Sequence, residues 1–161
     1  MKLYHYTRAF REDISTNGLV LRNKQLVRDD FISRHGGLFS EKELETLKSR
    51  WDKAQPFDPE DEHQNGLHFT RNPIPRANLN TEYLTMMFGG EAVMMVVEPH
   101  DECPIGRAIF KKLSTMGESM EIVIYIADDD PDIYDMGAEL RVHRNIHPDD
   151  IVAINNIEEY M

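Results

Sequence analysis

The sequence contains little cysteine, no long apolar segment and few basic residues. Cys103 is the single cysteine among 161 residues, which excludes an internal disulfide framework and a zinc site made of several cysteines. No run of about 18 apolar residues occurs, so no segment has the pattern of a membrane-spanning helix. The first residues have neither the apolar core nor the cleavage site of a secretory signal. These absences favour a protein of the reducing cytoplasm.

The charge of the chain is acidic and unevenly distributed. There are 18 Lys and Arg against 29 Asp and Glu, a formal net charge of −11. The first 54 residues carry 11 basic and 8 acidic residues, whereas residues 55–161 carry 7 and 21. This balance argues against bulk attraction to nucleic acid or to an anionic membrane. Such an acidic surface usually only keeps a protein soluble, and the partner class that it suits is a basic host protein.

Chain length and hydrophobic patterns predict one α+β domain. A chain of 161 residues has the usual size of a single domain, and helix patterns concentrate in its first half. The predicted helices cover residues 8–17, 23–34, 41–54 and 105–113. The predicted strands cover residues 2–7, 19–21, 66–70, 92–97, 120–127, 138–143 and 151–155. The order lacks the regular strand–helix alternation of a doubly wound sheet.

Two of these segments have especially clear patterns. Ser40 followed by Glu43 fits a capping box, and the helix that it opens places Leu47 and Trp51 on one stripe. Residues 92–97 form a continuous apolar run, which is typical of a strand buried on both faces of a sheet.

The common catalytic and metal-binding motifs are missing. The sequence contains no GxGxxG, no phosphate-binding P-loop, no HExxH and no GxSxG. The aspartates of residues 128–132 have neither the glycine nor the terminal glutamate of a calcium loop. We therefore expect no bound metal.

Three short motifs occur in order along the chain. The first is Leu3-Tyr4-His5-Tyr6-Thr7, on a strand followed by a helix that ends in Asn17-Gly18-Leu19. The second is Gly66-Leu67-His68-Phe69-Thr70. The third is Ala138-Glu139-Leu140-Arg141-Val142, followed by Ile146-His147-Pro148-Asp149-Asp150-Ile151. Together they resemble the motifs of ADP-ribosyltransferases of the diphtheria-toxin-like and poly(ADP-ribose) polymerase-like branches, and of the related DNA-modifying toxins. The resemblance touches the first 22 residues, the middle strand and the last 25 residues.

The resemblance implies both a fold and a reaction. The implied fold is a single ADP-ribosyltransferase-like domain over residues 1–161 with a split antiparallel β-sheet. Residues 23–65 would be a helical insertion between the first and second motif strands. NAD⁺ is the implied substrate, and its ADP-ribose would pass to an unknown macromolecular acceptor, either protein or nucleic acid.

The resemblance also implies roles for the motif residues. Glu139 would stabilise the positive charge that develops on the ribose as its bond to nicotinamide breaks. His5, assisted by Thr7, would hold a ribose of NAD⁺. We therefore expect His5 and Glu139 to face one cleft.

Further residues are expected to bind other parts of NAD⁺. Tyr83 or Tyr6 would supply an aromatic surface for the cationic nicotinamide ring. Arg8 and Arg71, which lie beside the first two motif strands, would offset the charge of the pyrophosphate. His68 and Phe69, within the second motif, complete the expected NAD⁺-binding set.

Two positions depart from the families that the chain resembles. His68 stands where polymerase-like members have tyrosine, and a protonated imidazole would repel the nicotinamide ring. Gly137 stands where arginine-modifying members carry a second glutamate, which disfavours arginine as the acceptor. Glu121 and Glu118 are competing choices for the catalytic carboxylate. We prefer Glu139 because the turn after its strand matches the family pattern.

Two functions therefore stay open from the sequence. The first is a mono-ADP-ribosyltransferase, acting as an effector or toxin of a bacterium or phage. The second is a catalytically inactive ADP-ribosyltransferase-like module that binds or inhibits a partner through its acidic face. A related RNA 2′-phosphotransferase is disfavoured, because few basic residues after position 54 are available to hold a phosphorylated RNA end.

Overall fold

The structure is a computed structural model that describes residues 1–54, 66–75, 88, 91–94 and 96–157. Within these residues the chain is an α+β protein with one six-stranded sheet, in which every paired strand is antiparallel to its neighbour. The predicted fold class is thereby confirmed at this level. None of the helices described is long and apolar enough to cross a membrane.

The sheet has its first strand near the centre. Its strands are β1 (Lys2–Ala9), β2 (Leu67–Thr70), β3 (Glu118–Tyr125), β4 (Ile133–Asp135), β5 (Glu139–Val142) and β6 (Ile151–Asn156). Their spatial order is β4-β5-β2-β1-β3-β6. The strands β1 and β3 pair along eight positions, from Lys2 opposite Tyr125 to Ala9 opposite Glu118. This ladder is the longest in the sheet.

The helices lie mainly between β1 and β3 in the sequence. Among the described residues they are α1 (Arg11–Asn17), α2 (Lys24–His35), α3 (Glu41–Lys53), α4 (Glu91–Met94) and α5 (Pro104–Thr115), with short 3₁₀ helices at Gly36–Leu38 and Pro148–Asp150. The predicted capping box opens α3: the Ser40 hydroxyl accepts from the Glu43 amide, and Glu43 accepts from the Ser40 amide. Two of the amides at this helix N-terminus, those of Ser40 and Glu43, are thereby satisfied.

One face of the sheet forms the main core. Alternate side chains of β1, β3 and β5, such as Leu3, Ile122 and Leu140, are fully buried there and pack with Ile14 of α1. This face, which α1 covers, is called the inner face below. The opposite, outer face carries a smaller cluster around Tyr6. Since side chains alternate along a strand, each strand contributes to both faces.

A second core lies among the helices. Leu47 of α3 packs with Ile109 and Leu113 of α5, and all three are fully buried. Phe31 of α2 and Trp51 of α3 belong to the same cluster. The predicted stripe of α3 therefore faces another helical surface.

The structure corrects three of the predicted elements. Residues 91–94 form a short helix instead of the strand predicted at 92–97, because Val93 is buried in the helical core; a short apolar run does not distinguish the two cases. The helix predicted at 8–17 begins only at Arg11, since β1 continues to Ala9. The strand predicted at 19–21 is a single bridge between Leu19 and Ile146.

Candidate functional site

The three sequence motifs lie on neighbouring strands. The strands β5, β2 and β1 are consecutive in the sheet, although Glu139 and His5 are far apart in the sequence. Thr70 of β2 lies opposite Tyr4 of β1 and also opposite Glu139 of β5. The motif strands therefore meet in one cross-strand row.

The ladder between β1 and β2 stops at that row. Tyr4 opposite Thr70 is the pair that joins these strands, whereas β2 and β5 pair along four positions. Toward the start of β2, the His5 side chain makes the next contact between the two strands. Its Nδ1 lies 2.6 Å from the carbonyl oxygen of His68. Because a carbonyl only accepts, Nδ1 must donate, which leaves Nε2 as an acceptor. Among the described residues, β1 and β2 are therefore joined by a short ladder and by this side-chain contact.

The register places His5 and Glu139 on opposite faces. Glu139 shares the outer face with Tyr4 and Thr70, which lie directly opposite it or one strand further. His5 is the next residue after Tyr4, so its side chain turns to the inner face, where its ring lies 5.4 Å from that of Phe69. The expectation that both side chains face one cleft is not met by this register.

A cleft of about 320 Å³ lies on the inner face beside β1 and β2. His5 and Thr7 of β1 line it, as does Leu67 of β2, so both strands contribute. Gly18, at the end of α1, forms part of the wall with φ near +71°. The backbone of the Asn17-Gly18-Leu19 motif therefore borders the same cleft as the His5 motif.

The opposite wall of the cleft comes from α2 and carries charge. Arg34 pairs with Asp13 at 2.8 Å and with Asp30 at 3.7 Å. Arg22 also pairs with Asp30, at 3.2 Å. All four residues line the cleft. The rim therefore holds two arginines that neighbouring carboxylates keep in place.

Aromatic rings also line the cleft. The rings of Phe10, Phe31 and Phe88 have centroids 5.3 to 5.7 Å from that of His35. Burial lowers the pKa of His35, with a further contribution from Arg34. At neutral pH the imidazole is therefore an uncharged member of an aromatic cluster.

The two motif histidines are also uncharged at neutral pH. Burial lowers the pKa of His5, although its hydrogen bond to the His68 carbonyl opposes that shift. Desolvation, Arg141 and His5 together lower the pKa of His68 to about 4. The electrostatic objection to a histidine at position 68 is therefore removed near pH 7, since a neutral imidazole does not repel a cation.

Glu139 differs from its two competitors in how it is held. Its side chain is 56% exposed, and the ion pair with Arg141 is long, at 3.9 Å. Glu121 instead accepts hydrogen bonds from Tyr6 at 2.7 Å and from Asn155 at 3.1 Å. These contacts give Glu121 a structural part in the sheet.

Glu118 is also committed to structural contacts. It accepts from Arg11 at 2.7 Å and from Asn156 at 2.7 Å. Among the three carboxylates, Glu139 is therefore the one most available to a ligand.

Several predicted ligand residues have other contacts in the structure. Arg8 borders the cleft, but its guanidinium is buried and donates to Ser119 at 2.9 Å and to the carbonyl of Gly117. The Tyr6 ring is buried, and its hydroxyl joins Glu121 to the amide of Ile74. Burial is the main cause that raises the pKa of Tyr6, so the hydroxyl stays protonated. Neither residue presents the exposed surface that its predicted role needs.

The remaining predicted residues divide between two places. Arg71 donates to the carbonyl of Gly137 and pairs with Asp135, away from the cleft. Phe69 is buried on the inner face, beside His5. Tyr83 lies outside the described residues.

Arg141 and the α2 wall of the cleft were not among the residues predicted from the sequence. Arg141 is buried, lies opposite His68 and shares the outer face with Glu139. Its position two residues after Glu139 was a usable signal, because residues i and i+2 of a strand share a face. No comparable signal pointed to Arg22, Arg34 and His35, since nothing in the sequence shows where α2 packs.

Comparison with known proteins adds no relative. No protein-family model matches the sequence, and neither a curated protein nor a solved structure is significantly similar to the chain.

Proposed function

We propose that this protein transfers ADP-ribose from NAD⁺ to a macromolecular acceptor. The adenosine half of NAD⁺ occupies the inner cleft, and the nicotinamide ribose lies at the end of the short ladder between β1 and β2. The observation that carries the proposal is the cross-strand row in which the three motif strands meet, with the cleft beside β1 and β2. Because NAD⁺ is a long molecule that contacts several sites, His5 and Glu139 need not point to the same face.

The cleft has suitable chemistry for the adenosine half. Its aromatic and aliphatic side chains suit a flat base, as in most small-molecule sites. His5 Nε2, as an acceptor, can take the hydrogen of a ribose hydroxyl, and Thr7 lies two residues away on the same face. Arg22 and Arg34 replace Arg8 and Arg71 as the cations for the pyrophosphate, since they line the cleft itself.

Glu139 supplies the negative charge for the reaction. The bond between ribose and nicotinamide breaks with its electron pair passing to the ring, which leaves as neutral nicotinamide. The acceptor's nucleophilic atom then bonds to the ribose carbon and loses a proton. A carboxylate beside the ribose stabilises the cationic transition state, an effect of several kcal/mol in comparable sites. The exposed side chain of Glu139 is free to approach an acceptor.

The test is NAD⁺ turnover with a matched glutamate control. The wild type, Glu139→Gln and Glu45→Gln are incubated with NAD⁺ labelled in its adenosine half and with a cell lysate. Glu45 is an exposed residue of α3, so its substitution changes the net charge equally. We expect the wild type and Glu45→Gln to label acceptors alike, and Glu139→Gln to lose at least about a hundredfold of the rate. Equal labelling by all three would remove Glu139 from the mechanism.

The second candidate function is a binding module without turnover. The opposite faces of His5 and Glu139 favour it specifically, because the resemblance predicts that both side chains face one cleft. Calorimetric titration with NAD⁺ separates the two functions. Binding without any release of nicotinamide would support the module, whereas release that depends on Glu139 supports the enzyme.

A further inference from the structure

The guanidinium of Arg71 holds the turn that leads into Glu139. Its Nε donates to the carbonyl of Gly137 over 2.8 Å, and a terminal nitrogen pairs with the carboxylate of Asp135. The main-chain amide of Arg71 donates to the carbonyl of Ala138 at 3.2 Å. Three contacts therefore join the residue after β2 to the turn between β4 and β5.

The turn is also closed by its own hydrogen bonds. The second oxygen of Asp135 accepts from the Gly137 amide at 2.8 Å. The Met136 amide donates to the carbonyl of Glu139 at 2.9 Å. Gly137 has a φ of +95°, which a residue with a side chain rarely adopts. Asp135 thus links Arg71 to a turn of one defined shape.

We propose that Arg71 is a positioning residue that fixes the backbone of Glu139, and not a ligand of NAD⁺. This inference rests on the proposed function. The long contact to Arg141 is too weak to fix the exposed carboxylate, so its position depends on the backbone that carries it. Thr70, paired with Glu139, holds one side of that residue, and Arg71 holds the turn before it.

The contacts of Arg71 are exposed enough that their loss should not unfold the protein. The side chains of Arg71 and Asp135 are 38% and 58% exposed, and exposed ion pairs contribute little to stability. A small displacement of a catalytic group, in contrast, reduces turnover strongly. The effect of a substitution should therefore fall on catalysis.

Steady-state kinetics of NAD⁺ consumption test the assignment. We expect Arg71→Ala to lower kcat by about tenfold to a hundredfold and to leave the KM for NAD⁺ within about twofold. Arg71→Lys should recover part of kcat, because a lysine reaches one partner without the paired geometry. The control is Arg11→Ala, which removes a similar pair of contacts, to Glu118 and to the carbonyl of Ile154. A raised KM with unchanged kcat would identify Arg71 as a pyrophosphate ligand and overturn the proposal.

Hydrogen–deuterium exchange measures the contacts without any need for activity. In Arg71→Ala and in Asp135→Asn, the amides of Met136 and Gly137 should exchange faster than in the wild type, while those of β3 stay unchanged. Unchanged exchange in the turn overturns the positioning role, whatever the activity. Faster exchange in the turn together with an inactive wild type overturns the proposed function. Arg71 then has no part in catalysis, and only its structural contact with the turn stands.

Discussion

Substitution of Gly18 by alanine provides the sharpest test of the structure. The added side chain would incur both backbone strain and a steric overlap with a neighbouring segment. Its φ of +71° and ψ of −155° lie in a region that is almost limited to glycine, and such a conformation costs a residue with a side chain about 1–3 kcal/mol. A Cβ at this position would also overlap the carbonyl oxygen of Ile146 and lie 3.0 Å from the nitrogen of Pro148. That carbonyl accepts from the Leu19 amide at 3.0 Å, and the Ile146 amide donates back to Leu19 at 2.8 Å.

Gly137→Ala separates the two costs. Gly137 has a φ of +95°, and no described atom lies within 4 Å of a Cβ added there. Its substitution should cost about 1 kcal/mol, because the smaller freedom of the unfolded chain offsets part of the backbone strain. Gly18→Ala should cost about 3 kcal/mol, since the two hydrogen bonds of the bridge contribute about 1 kcal/mol each.

Urea unfolding of both variants and the wild type measures these free energies. The expected difference between the variants is about 2 kcal/mol, the contribution of the Leu19–Ile146 bridge. If Gly18→Ala were no less stable than Gly137→Ala, the close approach of this motif to Ile146 would be refuted. The position of α1 against the cleft would then be in error as well.

Two further predictions concern the outer face. The pKa of His68 is lowered from 6.5 to about 4 in the folded protein. Between these pH values the imidazole is protonated in the unfolded chain but not in the folded protein, so the free energy of unfolding decreases as the pH falls from about 6.5 to 4. His68→Gln should therefore reduce the fall in the urea midpoint between pH 7 and pH 5, and an unchanged fall would count against the shift. Tyr6→Phe should cost about 1–3 kcal/mol, because the Ile74 amide loses its acceptor. Tyr125→Phe, at a residue 61% exposed, should change stability by less than about 0.5 kcal/mol in the same urea experiment.

Local sequence signals predicted most of the elements. The capping box at Ser40, the stripe with Leu47 and Trp51, and the strands that became β1, β3, β5 and β6 all rest on patterns within a few residues. The same information could not place residues 91–94, where burial against other helices decided in favour of a helix. The strand β4 was missed, because only three residues form it and its partner β5 stabilises it.

The candidate site was less predictable, because it depends on strand register. The sequence predicted that His5 and Glu139 lie on separate strands and face one cleft. In the structure β2 lies between those strands, and the face of each side chain is set by the pairing of Thr70 with both Tyr4 and Glu139. A shift by one residue would reverse every face. The contacts of charged residues were similarly hard to predict from the sequence. Arg8 is buried and donates to Ser119, and Arg71 donates to the turn before β5.

The long ladder between β1 and β3 also affects how this chain must fold. Its closest pair in sequence, Ala9 and Glu118, is separated by more than a hundred residues. Closing such a loop carries an entropic cost that local pairs do not repay, so sheets of this kind assemble slowly. The helical segments can instead form from neighbouring residues. The central strand is therefore an early part of the sequence that must wait for a late partner, and its apolar side chains stay exposed to solvent until that partner arrives.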